Sequence, residues 1–179
     1  PELVPWQYLL GRGVTIFLLL NLYLFFEEGI DFYKNYKRIG WSGLIGGTGL
    51  GIAMISFIWS ITNTSAAVTL LCLAAMPFMT AFLGFLFLHE KISFNVWVAI
   101  ILASIGIIII AIGNFSAGTL FGLLFGLASA LGFSVFSVSL RWRKETPKFT
   151  TVAIAGLICA IVSMVILVET DSNLLSSSR

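Results

Sequence analysis

The sequence predicts an all-α, polytopic transmembrane helix bundle of about six helices. Three observations lead there: the composition, the length of the apolar runs and the placement of the basic residues. Of 179 residues, 59% are hydrophobic and only 10% are charged. A soluble domain carries about a quarter charged residues, which solvate its outside. So few charges cannot cover a globule of this size, so the outer surface faces lipid. The net charge of +2 comes with no basic stripe, and a nucleic-acid partner is excluded.

Six apolar runs can be drawn, at residues 6–26, 41–61, 66–88, 96–112, 119–140 and 150–168. Each is long enough to cross about 30 Å of hydrocarbon at about 1.5 Å per residue. None alternates in polarity as the shorter strands of a membrane barrel would. The intervening segments divide by charge. Segments 27–40, 89–95 and 141–148 hold Lys34, Lys37, Arg38, Lys91, Arg141, Arg143, Lys144 and Lys148, whereas the alternate segments hold only Arg179. Six crossings place the two sets on opposite sides, and retention of Lys and Arg makes the basic side cytoplasmic. The expected location is the cell membrane. Trp6, Trp41, Trp59, Trp97 and Trp142 all fall near run ends, where indole rings favour the headgroup level. Segment 27–40 mixes Phe32, Tyr33 and Tyr36 with charges and suits a short amphipathic stretch on the inner surface.

Two runs carry glycines spaced by four: Gly43, Gly47 and Gly51, then Gly118, Gly122 and Gly126. Such spacing puts them on one helix face, where another backbone can approach closely. Static packing and a sliding surface both fit. Pro77 interrupts the third run and is expected to kink it, for structure or to line a cavity. Arg12 is the charged residue clearly inside an apolar run, about two turns from the outer end. It can snorkel outward or serve an anion-facing or packing role. Asn21 is the other strongly polar side chain on that helix, and Asn63, Thr64 and Ser65 form a polar mouth at the outer junction. The glycosylation-like triplets 63–65 and 114–116 read as chance matches, given their closeness to the membrane. His89 and Glu90 end the third run as an inner helix terminus, followed by Lys91.

Enzymes are disfavoured. His89 is the sole histidine, so neither a histidine-based zinc pair nor a histidine beside an intramembrane serine can be assembled. No carboxylate falls mid-helix, which weakens aspartyl chemistry and removes the usual proton carrier. Cys72 and Cys159 sit in apolar runs and read as small hydrophobes. No catalytic residue, metal site or cofactor is expected. The first residue is Pro1, no basic region precedes the first run, and a fragment of a longer protein is expected.

The run from Trp59 to Ala67, then Met76-Pro77-Phe78, then Leu86-Phe87-Leu88-His89-Glu90-Lys91 resembles the EamA domain of the drug/metabolite transporter superfamily. That pattern combines a small-residue helix entry, a mid-helix proline and a Leu-x-Gly-Glu-like exit. Residues 118–141, closing on Leu140-Arg141, look like the opening helix of a second such repeat, and Arg12 in Leu10-Gly11-Arg12-Gly13 matches an arginine often found in the family's second helix. His89 is a departure, standing where the family usually has glycine.

The resemblance implies ten helices in two inverted five-helix repeats, with both termini cytoplasmic. Residues 1–113 would be the first repeat without its first helix, and 114–179 the start of the second. It also implies a secondary carrier exporting or exchanging small metabolites (amino acids, related compounds or drugs) by alternating access. Arg12, Asn21, Trp59, Asn63, Thr69, Met76, Pro77 and Thr80 are the candidate substrate-pathway residues. The expected partners are the bilayer, a small-molecule substrate and, for a fragment, a homodimer that rebuilds the missing half. The competing reading is a non-transporting assembly or signalling subunit.

Overall fold

The computed structural model describes residues 4–113 and 117–177, and the described residues are almost entirely helical. In order come α1 (Val4–Glu28), a 3-10 turn (Gly29–Phe32), α2 (Tyr33–Arg38), α3 (Gly40–Asn63), α4 (Ala66–Leu73), α5 (Met76–Leu88), α6 (Phe94–Gly113), α7 (Ala117–Trp142) and α8 (Lys148–Ser177). Five passes are long and apolar enough to cross a membrane: Pro5–Arg38, Gly40–Asn63, Ala66–Leu88, Leu120–Trp142 and Lys148–Glu169. With the apolar helix α6, the passes match the six runs of the sequence. Residues 114–116, and with them the second glycosylation-like triplet, lie outside the described residues, as do the surroundings of Gly118.

The bundle buries small hydroxyl residues beside an apolar core of Trp6, Leu9, Leu50, Met54 and Ile58, and its outside is apolar. Ser60, Thr69, Ser129, Ser134, Thr150, Thr151 and Ser163 are fully buried, while Leu18, Phe26, Ile101, Leu102 and Ile109 are exposed. Lipid is as apolar as leucine, so close packing of small residues and hydrogen bonding, not hydrophobic exclusion, hold such helices together. Helix α3 is the centre, packed along α7 on one side and α8 on another, with α1 laid against α8. Glycine makes these contacts possible. A Cβ on Gly132 of α7 would stand 2.5 Å from the Gly49 carbonyl oxygen. Gly47 and Gly51 face Ile154 and Ile158 of α8, Gly43 faces Thr146, and Gly122 and Gly126 face Thr64 and Cys72. Gly47, Gly51 and Gly126 are thus at helix–helix contacts, with branched side chains seated over Gly47 and Gly51, whereas Gly43 and Gly122 meet turn residues. The sequence does not reveal the Gly13–Gly156 crossing of α1 and α8, where each added Cβ would meet the other's carbonyl oxygen, at 2.7 and 2.9 Å.

The third run differs from the expected single kinked helix: it is two helices, α4 and α5. Pro77 has no N–H for the Leu73 carbonyl, so the helix stops one turn earlier. The Ala75 N–H tightens onto the Cys72 carbonyl (3.1 Å), and the Phe78 and Met79 N–H groups both return to the Ala75 carbonyl (3.1 and 3.0 Å). Pro77 then sits in the first turn of α5, where its missing donor costs nothing. Segment 27–40 is also helical. It is held by Tyr36 Oη donating to Asn21 Oδ1 (2.8 Å) and Asn35 Nδ2 donating to Glu28 (2.6 Å).

Candidate functional site

All three basic segments gather at one end of the bundle. Arg141 pairs with Glu90, the Ser42 and Thr146 hydroxyls share a hydrogen bond (2.6 Å), and Gly40 lies beside Arg143. Trp6 meets Trp59 edge-on at the opposite end, with ring centroids 5.3 Å apart, and Trp59 stacks on Phe125 (5.6 Å).

The broken helix opens onto a cleft of about 550 Å³ between α5, the start of α6 and α7. Met76, Pro77 and Thr80 line it from α5, Glu90 and Lys91 from the following turn, and Ser137 and Arg141 from α7. The structure thus brings three pathway candidates together with the inner helix terminus. Arg141 Nη1 donates to Glu90 Oε2 at 2.9 Å, and Nη2 points at the Thr80 carbonyl at 3.4 Å. Ser134 Oγ donates to the Ala130 carbonyl of its own helix (2.8 Å) and stands 3.1 Å from the Met76 carbonyl, so α7 places a hydroxyl beside the helix break.

Local geometry explains how Glu90 reaches α7. Helix α5 ends on His89 in the left-handed region, at φ 55° and ψ 31°. The Glu90 N–H then turns back to the Gly84 carbonyl (3.2 Å). That backbone conformation favours glycine, the residue that the sequence resemblance leads one to expect at His89's position. Gly84 is the second requirement. A Cβ there would stand 2.6 Å from Glu90 Oε2 and 3.0 Å from Arg141 Nη2, so the ion pair lies directly over the bare Gly84 backbone.

The remaining candidates lie elsewhere. Thr69 is fully buried, its hydroxyl sharing a 2.9 Å hydrogen bond with Ser60, whose Oγ also lies 2.7 Å from the Gly122 carbonyl. Asn63 Nδ2 donates to the Trp59 carbonyl (2.8 Å), Ser65 Oγ caps α4 by accepting from the Val68 N–H (3.3 Å), and Asn21 Nδ2 donates to the Phe17 carbonyl (2.7 Å). Arg12 lies on the exposed side of α1 and forms no ion pair among the described residues. Sequence reasoning did not reach Gly84, Ser137 or Arg141 as site residues. One signal was available for the last. Glu90 and Arg141 each come at the end of an apolar run, on the same side and with opposite sign.

Comparison with known proteins agrees with this architecture. The EamA-like transporter family model matches residues 2–112. A protein of Helicobacter pylori strain J99, described as an uncharacterized transporter, is 25% identical over 144 residues, covering 79% of this chain and 47% of that protein. The chain therefore spans about half the length of the curated relative it matches. No solved structure matches the chain. Family match, helical bundle and lipid-suited exterior agree, and the chain belongs to the EamA-like transporter family as a multi-pass membrane protein.

Proposed function

We propose that this chain is the first repeat, lacking its first helix, and the opening of the second repeat of a secondary carrier. Residues 1–113 and 114–179 are the two portions. The carrier exports or exchanges a small metabolite across the cell membrane by alternating access, with the basic end cytoplasmic. The family match, together with the relative described as a transporter, supports the transport activity. In inverted-repeat carriers the substrate site lies at the repeat interface, beside broken helices.

The observation that carries the reading is the helix break at Ala74–Ala75, facing α7 across the cleft of Met76, Pro77, Thr80, Glu90 and Arg141. Broken backbone at membrane depth is tolerated where protein buries it or where it lines a water-filled cavity. Arg12 and Asn21, on α1, and Trp59 and Asn63, at the far end of α3, do not line this cleft. Cysteine substitution at Met76 and Thr80 in the whole protein tests this. Both positions are expected to react with a membrane-impermeant thiol reagent from the cytoplasmic side. Thr69→Cys, buried against Ser60, is expected to stay unlabelled. Complete inaccessibility of Met76→Cys and Thr80→Cys under all conditions contradicts the pathway. Where a fragment of this length assembles alone, a homodimer would have to supply the missing wall.

A further inference from the structure

Arg141 is held by Glu90 through one nitrogen only. A guanidinium presents five N–H donors in a planar fork that matches a carboxylate or phosphate bidentately. Here Nη1 alone meets Glu90, at 2.9 Å, and Nη2 makes a long 3.4 Å approach to the Thr80 carbonyl. Lys91 also lines the cleft and forms no ion pair among the described residues. Two cations and one carboxylate leave the cleft with one excess positive charge, and the hydroxyls of Thr80, Ser93 and Ser137 stand around it. The pair is about two-fifths exposed on each side, so water and solutes reach it. Exposed pairs of this kind hold weakly and exchange readily.

We propose that the cleft binds a small organic or inorganic anion, a carboxylate or phosphate, whose oxygens take the Arg141 fork in place of Glu90. Binding and release of the α5–α6 turn from α7 are then a single event. The Glu90 carboxylate is the built-in competitor that keeps the site closed when no anion is present. The inference deepens the carrier reading, but it is tested by binding alone. Its failure would leave the thiol-labelling result, and the pathway, untouched.

The test uses the whole protein in nanodiscs of phosphatidylcholine, titrated with benzoate and separately with inorganic phosphate. Isothermal titration calorimetry is the readout, which needs no reporter side chain at the cleft. Glu90→Gln is expected to tighten binding about fivefold, the strength of an exposed pair. Arg141→Gln is expected to abolish it, and the Glu90→Gln/Arg141→Gln double variant to remain without binding. Lys91→Gln is expected to weaken binding by a smaller factor, and an unchanged unfolding midpoint of Arg141→Gln in detergent guards against a folding defect. Replacing part of the phosphatidylcholine with phosphatidylglycerol separates two sources of the anion. A loss of benzoate affinity in phosphatidylglycerol assigns the site to a lipid headgroup, and unchanged affinity assigns it to a soluble anion. Either supports the site. Absence of anion binding in the wild-type chain, or binding that survives Arg141→Gln, overturns it.

Discussion

The two flanks of α3 and α7 are built on different principles. On one flank α1, α3 and α8 meet through glycine. Gly13 crosses Gly156, and Gly47 and Gly51 receive isoleucines of α8. On the other flank α4 and α5 are a broken pass, α6 rests mainly on α5, and a cleft remains between α5 and α7. A glycine-matched interface has few alternative arrangements, because any shift drives a side chain into a backbone. The α5–α6 flank meets α7 across the cleft through the Glu90–Arg141 pair, the Arg141–Thr80 contact and the Ser134 hydroxyl beside the Met76 carbonyl. We propose that this flank is the one that moves.

Substitutions sharpen that contrast. The largest effect is expected from Gly132→Val, because even a Cβ would stand 2.5 Å from the Gly49 carbonyl oxygen and 2.9 Å from Ala53 Cβ. Overpacking of this kind costs about 3 kcal/mol, read as a fall in the unfolding midpoint in detergent. Gly106→Ala on α6, with open space around it, leaves the midpoint unchanged or raises it. Equal damage from both would erase the distinction between flanks. A smaller effect of opposite sign is expected from His89→Gly. It relieves a left-handed residue and raises stability by about 1 kcal/mol in the same assay.

Much of the fold was legible because it depends on local sequence. Apolar length gave the six passes, and the basic residues marked one end of the bundle. The glycine ridge at 43, 47 and 51 was visible as a face, but its partner α8 was not, since that depends on how distant helices meet. The same limit hid the Gly13–Gly156 crossing. In the site, Met76, Pro77 and Thr80 were within reach because proline announces itself locally. Their convergence with Glu90 was not readable, because it runs through an ion pair between residues 51 apart in the chain. Arg141 was read only as a topology signal, although its second role is to hold the turn after α5. His89 was visible as a departure from pattern, and only the positive φ explains why glycine is usual there.

The central claim is that the α5–α6 turn moves against a fixed glycine-packed body. Double electron–electron resonance on the whole protein addresses it with two spin-label pairs, Phe26/Lys148 within the packed flank and Lys91/Lys148 across to the open one. The first pair is expected to give one narrow distance that Glu90→Gln leaves in place. The second is expected to give two populations, with Glu90→Gln favouring the longer. A single narrow distance for both pairs, unmoved by Glu90→Gln, would contradict the account.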